Sequence, residues 1–406
     1  MTFTLPCSDM TPPEEIKQRV LRMQMLLQKH QIDGALILQN SDLFYFAGTI
    51  QQSHLYIPAE GSPLLMVRKS FERALQESGI QHIVPLSGIG RIIALLSDNG
   101  FTMPKTLGLE LDVIPAQTYL RLTQIFPQTN ITDVSNLIRE VRAIKSPYEI
   151  GIIREACQRS DSVFEFVSQV LKEGMTEVEV AGQIEAYARK SGHQGVVRMR
   201  LWGNELFYGH LMCGASAAVP SYLASPTGGV GVSPAVAQGA GFARIKRHEP
   251  ILVDYTFAYK GYLSDQTRIF SIGKIPDHLI AAHAAMLELQ SIVQEKAKPG
   301  ISAGQVYALA LQWVKTAGYA EYFMGSGHQR IRFIGHGIGL ELDEYPFLAD
   351  GQNMLLEKDM VIALEPKLVF PCCGVVGTEN THLVTADGLK PLTHYREDII
   401  EMLVKA

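Results

Sequence analysis

Hydrophobic positions along the chain follow two periods that alternate. Over 14–30, Ile16, Val20, Met23, Leu26 and Leu27 recur at helical spacing, which predicts an amphipathic helix covering the face of a sheet. The runs GALILQN at 34–40 and HLYIPAEGSPLLMV at 54–67 read as strands, the second as a hairpin turning at Glu60-Gly61. Strand and helix signals then alternate to about residue 137. The next stretch, SNLIREVRAIKSPYEIGIIREACQRSD, is helical but broken at Ser146-Pro147, because a residue before proline is pushed out of the α region. From Tyr148 the pattern resumes through Ile150, Ile153, Cys157, Val163, Phe164, Val167 and Leu171. These signals predict a small α/β domain over 1–145 and a second domain over 146–406.

The second domain echoes itself. Gly174-Met175-Thr176 opens a helix with Glu179 in the capping-box position, and that helix stops at Gly192. Gly300-Ile301-Ser302 opens another, with Gln305 in the same position and a stop at Gly318. The offset between the copies is 126 residues throughout, and each copy follows a long amphipathic helix. The pattern predicts a mixed α/β (α+β) fold with duplicated halves about a pseudo-two-fold axis, an arrangement that sets a site between the halves.

Composition narrows the classes. Hydrophobic residues make up 47% of the 406, enough for large cores, which excludes a disordered or disulfide-stapled chain. The net charge of −5 argues against a dedicated nucleic-acid binder. No segment approaches 18 uninterrupted apolar residues and the N-terminus lacks a signal-peptide pattern, so neither membrane nor export is expected. The five cysteines, Cys7, Cys157, Cys213, Cys372 and Cys373, show no metal-knuckle or CxxC spacing, which fits a reducing, cytoplasmic compartment.

Three segments carry chemistry. In ILVDYTFAYKGYLSDQTRIF, apolar strand residues flank Asp254 and Asp265. A two-residue loop at 259–260 would place the aspartates opposite each other, and one at 260–261 would make them diagonal neighbours on one face. Two carboxylates aimed together into a core need a cation or a shared proton. In FIGHGIGLELDEYP, glycines on both sides of His336 let backbone approach and leave the imidazole accessible. In VIALEPKLVF, Glu365 sits in an apolar strand run, a costly place for an unpaired charge, and Glu379 in GVVGTENTHLV lies on a return strand. Four carboxylates and one imidazole suit Mn²⁺, Co²⁺, Fe²⁺ or Zn²⁺. The set exceeds the three protein ligands of a single catalytic zinc and fits a two-metal cluster.

The order Asp–x10–Asp, GHGIGLE, EP and a late Glu resembles the pita-bread metallohydrolases: Xaa-Pro aminopeptidases, prolidases, methionine aminopeptidases and the metal-free creatinases. The resemblance covers nearly the whole chain, including SDLFYFAGT of a creatinase/prolidase-type N-terminal domain and the linker IREVRAIKSPYEIGIIREA. It implies that Asp254 is a terminal ligand of one metal, that Asp265 and Glu379 bridge two divalent ions, and that His336 and Glu365 are terminal ligands of the other. It implies a metal-bridging water or hydroxide as nucleophile, with Glu365 as general base or proton shuttle, and a homodimer.

The departures bear on substrate. The peptidases carry a histidine 17 residues before the first metal aspartate, where this chain has Ala237, with Gln238 beside it. They carry a second histidine in HExP, where this chain reads Asp343-Glu344-Tyr345-Pro346. Thr378 and Asn380 stand where an arginine and an aspartate usually flank the bridging glutamate. Asp343 would repel a substrate carboxylate and attract an amine, or act as a base. His210, in LFYGHLMCGAS, is the candidate to replace the lost donors. In SGHQGVVRMR, His193 could face the cleft, and Arg198, sharing a strand face with Arg200, could clamp a substrate carboxylate. The expectation is a dinuclear hydrolase of Xaa-Pro peptides or another small amide. The alternatives are a relative cleaving C–N or C–S bonds in a small charged metabolite, and a non-catalytic binding protein.

Overall fold

The computed structural model describes residues 10–402, so Cys7 and the last residues of the 146–406 domain lie outside the described residues. The chain divides into two compact units between Arg142 and Ala143.

The first unit is built on six strands: β1 (Gly34–Ile37), β2 (Ser53–Pro58), β3 (Leu64–Val67), β4 (His82–Pro85), β5 (Thr106–Leu109) and β6 (Asn130–Asp133). Their order is β4-β3-β2-β1-β5-β6. β2 and β3 form the expected hairpin, Ser53 pairing with Val67 and Tyr56 with Leu64. The other neighbours of the mixed sheet include parallel pairs that need helical crossovers. These are supplied among α1 (Pro13–Lys29), α2 (Asn40–Ala47), α3 (Phe71–Glu77), α4 (Ile92–Asp98), α5 (Ala116–Ile125) and α6 (Ser135–Ala143). α1 buries Ile16, Val20, Met23 and Leu27, the predicted stripe. The strand read over 34–40 ends at Ile37, because the Gln39 side chain accepts from Asp42 N and caps α2.

The second unit opens on α7 (Pro147–Val170), α8 (Glu177–Lys190) and three antiparallel strands, β7 (Gly209–Cys213), β8 (Ile251–Tyr259) and β9 (Tyr262–Ile272). The plan then repeats with α9 (Asp277–Lys296), α10 (Ala303–Thr316), β10 (Phe333–Gly337), β11 (Glu344–Ala349) and β12 (Val361–Leu364). β13 (Lys367–Phe370) and β14 (Gly374–Gly377) form a two-stranded hairpin. β15 (Asn380–Thr385) and β16 (Gly388–Pro391) complete the second sheet, while β17 (Ile400–Met402) joins the first beside β9.

The duplication read from the glycines is visible at atomic detail. Thr176 and Ser302 cap 14-residue helices with reciprocal capping boxes closed by Glu179 and Gln305. Gly174, Gly192, Gly300 and Gly318 all take positive φ, from 83° to 99°, which an L side chain rarely adopts. Each half has its own core. Phe164, Val167, Ile184 and Phe257 pack in the first, and Met286, Val306, Ala310 and Ile362 in the second. Backbone bonds between Thr267 and Glu379, each N–H to the other's carbonyl at 3.3 Å, tie the two sheets where the candidate ligands lie.

Candidate metal centre

The β8–β9 turn decides the relation between the aspartates. Tyr259 pairs with Tyr262, leaving Lys260-Gly261 as a two-residue loop with φ of +46° and +90°, both positive as a type I′ hairpin requires. Asp254 is then opposite Thr267, and Asp265 opposite Thr256. The carboxylates are diagonal neighbours on one sheet face, the second of the two registers allowed by the sequence.

His336 lies on β10 between β11 and β12. Glycines flank it because a Cβ at 335 or 337 would run into the backbone of Ala363 or Tyr345. Its Nδ1 is 3.0 Å from the Gly337 carbonyl and donates to it, so Nε2 is the nitrogen turned to the carboxylates. Burial lowers the pKa of the ring, but Asp343, Glu365 and Glu379 outweigh this and raise it, and a metal at Nε2 would take the place of that proton. Glu365 follows the last residue of β12 and Glu379 precedes the first of β15, so neither sits inside a strand as expected. Leu364 pairs with Asn380, which puts the two glutamates one step past the same rung, at the mouth of the β13–β14 hairpin.

All five side chains line one cavity, together with His210 and Asp343. His336 Nε2 is 3.9 Å from Asp265 Oδ2 and 3.9 Å from Glu365 Oε1. Asp265, His336 and Glu379 each offer a ligand atom within 4.8 Å of the others. Burial, reinforced by Glu379 and Asp254, pushes the Asp265 carboxyl well above the usual range. Glu379 is pushed up by burial too, with Lys367 pulling it down and Glu365 and Asp254 raising it. Crowded, buried carboxylates around an imidazole whose Nε2 faces them call for positive charge. A divalent ion with bonds of about 2.0–2.2 Å to N and O ligands suits that donor set.

One cation is already in place. Lys367, at the start of β13, points its ammonium into the centre and donates to Asp254 Oδ2 at 2.9 Å, Glu365 Oε2 at 2.9 Å and Glu379 Oε2 at 2.8 Å. Its side chain is 1% exposed. Burial acts to lower its pKa, but the three carboxylates outweigh this and hold it well above the ordinary lysine value. The sequence carried a signal for it: a lysine two residues after Glu365 in the apolar run LEPKLVF is the same anomaly that singled out the glutamate.

Supporting side chains were also missed. Thr267 Oγ1 donates to Glu379 Oε2 at 2.8 Å. Thr381 Oγ1 accepts from Asp265 N and donates to Asp265 O, both at 2.9 Å. Buried Arg268 donates to the Glu379 carbonyl and to Asn380 Oδ1 at 2.8 Å each, and to Thr378 Oγ1 at 3.3 Å. Thr378 and Asn380, odd in the sequence, are thus partners of an arginine that arrives from β9.

The remaining candidates divide. His210 on β7 is opposite Asp254 and buried, and its Nε2 has no hydrogen-bond partner among the described residues. Burial lowers its pKa and Asp254 opposes this, so the imidazole is the neutral form near pH 7. Asp343 Oδ1 is 3.7 Å from His336 Nδ1. His193 is not in the cavity; its ring packs on Tyr208 and Phe257. The strand expected over 198–200 does not form. Leu342 N bonds the Arg198 carbonyl instead, and buried Arg200 is 3.6 Å from Glu341. Met199 lines the cavity and half-buried Arg198 does not. Cys157, Cys213, Cys372 and Cys373 are free thiols.

Residues 151–386 match metallopeptidase family M24, and residues 19–144 match the creatinase/prolidase N-terminal domain. The chain is 26% identical to an Xaa-Pro dipeptidase of Pyrococcus furiosus, over 95% of this chain and 100% of that one. It is 30% identical to an uncharacterized peptidase of Staphylococcus aureus, over 91% and 97%. Among solved structures, a prolidase from Pyrococcus horikoshii OT3 superposes with a TM-score of 0.78 at 28% identity, covering 94% of this chain and all of that one. An Xaa-Pro dipeptidase from Bacillus anthracis does so with a TM-score of 0.81 at 25% identity, covering 96% and 100%.

Proposed function

The chain belongs to metallopeptidase family M24, and from that premise we propose that this metallohydrolase cleaves small Xaa-Pro peptides in the cavity between its duplicated halves. Residues 1–145 form the creatinase/prolidase-type N-terminal domain in this reading and 146–406 the catalytic domain. The observation that carries it is the convergence of Asp254, Asp265, His336, Glu365 and Glu379 on one cavity. The relatives named above are peptidases, so C–N or C–S cleavage of a charged metabolite is not favoured.

Asp265, His336, Glu365 and Glu379 are assigned as the groups that hold divalent metal. Mn, Co, Zn or Fe bound there would polarise the scissile carbonyl and acidify the attacking water. Two ions, as the resemblance implies, would call on Asp254 and all of these at once, and Lys367 already engages three of the five.

Glu365 Oε1 faces the cavity side of His336 and is placed to take a proton from the attacking water. The water oxygen bonds the carbonyl carbon, the C–N bond breaks, and Glu365 passes the proton to the departing nitrogen. Neutral His210 offers its unpartnered Nε2 to the carbonyl oxygen or the product carboxylate. Asp343 attracts the substrate's ammonium, while Arg198, outside the cavity lining, is given no part in the carboxylate clamp expected of it.

The test is hydrolysis of an Xaa-Pro peptide panel by protein supplied with Mn²⁺, Co²⁺ or Zn²⁺, with His336→Ala as the blank. Turnover that disappears in the variant supports the assignment, and metal-loaded protein that cleaves none of the panel sinks it. No helix among the described residues is long and apolar enough to cross a membrane. We place the enzyme in the cytoplasm as a homodimer, which sedimentation at micromolar concentration would check.

A further inference from the structure

A lysine ammonium has three N–H donors and no acceptor. In Lys367 all three are directed at carboxylates, those of Asp254, Glu365 and Glu379, at 2.8–2.9 Å. That is a saturated cation site, with oxygens of three residues converging on one positive point.

The other half of the same centre has a different character. Asp265 Oδ2 and Glu365 Oε1 each lie 3.9 Å from His336 Nε2, and Asp265, His336 and Glu379 offer ligand atoms within 4.8 Å of one another. Glu365 divides its two oxygens between the halves, Oε2 to the ammonium and Oε1 toward His336. Asp254 puts its Oδ2 in the Lys367 bond. The five acidic and imidazole groups therefore surround two positive positions, one of them filled by the protein's own chain.

The backbone is shaped to deliver that ammonium. Lys367 pairs with Gly377 across the β13–β14 hairpin. A Cβ at 377 would lie 2.8 Å from Lys367 Cα and 3.2 Å from its Cγ. Gly377 has φ +144°, and its missing side chain leaves the passage for the lysine stem. Met324 N donates to the Lys367 carbonyl at 3.0 Å and holds the residue from the other side.

We propose that the Lys367 ammonium takes the place of one of the two divalent ions expected of this centre, so that the protein binds a single ion, on the Asp265–His336–Glu379 side. A second ion at Asp254 would have to displace the ammonium from three carboxylates at once, and a fully buried stem gives the displaced charge no solvent to enter. Lys367 is thus a positioning residue. It fixes Glu365 and Glu379 in orientation and supplies one unit of positive charge where a divalent ion would supply two.

The inference rests on the metal-dependent reading above, and the count of bound ions tells their failures apart. Full-length protein would be stripped, reloaded with excess Mn²⁺ and desalted, then weighed by native mass spectrometry and assayed for metal. Wild type is expected to hold one ion per chain, with the electron paramagnetic resonance spectrum of an isolated Mn²⁺. Lys367→Ala is expected to hold two, with an exchange-coupled spectrum, and Lys367→Met serves if the alanine variant does not fold. Asp254→Asn should leave the single wild-type ion bound, and His336→Ala should lose it. Two ions per wild-type chain would overturn the inference and leave the metallopeptidase reading standing. No ion in wild type or in either lysine variant would overturn both.

Discussion

The hydroxyl of Thr267 on β9 donates to Glu379 Oε2 at 2.8 Å, while the backbones of the same two residues exchange hydrogen bonds across the two sheets. One residue of the first half thus orients a proposed ligand carried by the second. Hydrogen bonds of this kind tune metal affinity by about 10- to 100-fold. Thr267→Val keeps the strand shape and removes only the donor. Calorimetric titration with Mn²⁺ should show affinity weakened within that range and an unchanged melting temperature. Unaltered affinity would remove Thr267 from the centre.

Arg268 is fully buried and its donors go to the carbonyls of Thr267, Glu379, Tyr395 and Arg396 and to Asn380 Oδ1. Arg268→Met keeps much of the volume but takes this donor from the Tyr395 and Arg396 carbonyls, while the Thr267 and Glu379 carbonyls and Asn380 Oδ1 each keep another donor. An acceptor left unpaired costs about 1–3 kcal/mol, so a loss of about 2 kcal/mol is expected in urea unfolding. Asn380→Ala removes one acceptor and leaves the guanidinium its other partners, so it should cost less. Equal effects would contradict this ranking.

The duplicated caps make a paired prediction. Thr176→Ala and Ser302→Ala each remove a side-chain acceptor for the N3 amide and break a reciprocal box. Each should cost about 1 kcal/mol, read as a fall in thermal stability of similar size in the two variants. A cap in one half that proved silent would break the energetic equivalence of the halves.

His54 provides a pH signature in the first unit. Burial, with Arg68 second, lowers its pKa from 6.5 to about 4. The unfolded chain therefore binds a proton between pH 6.5 and 4 that the folded chain refuses. Stability from the neutral imidazole is fully present above pH 6.5 and is lost as pH falls toward 4. At about 1.4 kcal/mol per pKa unit the ceiling is about 3 kcal/mol. His54→Leu should lose less stability than wild type between pH 7.5 and pH 4.5 in urea titrations. The groups with shifts of the same sign, His193, His210, His283 and His382, keep a residual acid limb in the variant. Parallel falls in both proteins would show that His54 does not contribute.

Local signals sufficed for much of this protein. The stripe on α1, the hairpin of β2 and β3, the break at Pro147 and both capping boxes depend on residues a few positions apart, so the amino-acid order alone encodes them. The five candidate ligands were legible for a related reason. A carboxylate or imidazole set in an apolar or glycine-bounded run is costly unless something compensates it, and that cost is visible without coordinates. The turn narrowed the aspartates to two arrangements, and only the Tyr259–Tyr262 pairing chose between them.

Tertiary structure decided everything that depends on which distant charges meet. Arg198 and Arg200 looked like a strand face, but bonds to Leu342 and Glu341 hold that segment irregular. Thr378 and Asn380 read as losses until Arg268 was seen between them, 110 residues away in sequence from Thr378. Lys367 was not singled out in its strand; only the fold sets its ammonium against Asp254, 113 residues earlier. A strand's own pattern shows that a buried charge needs a partner, because desolvation is a local cost. It cannot show whether that partner is a metal or another side chain, because Coulomb attraction acts across whatever distance the fold has closed.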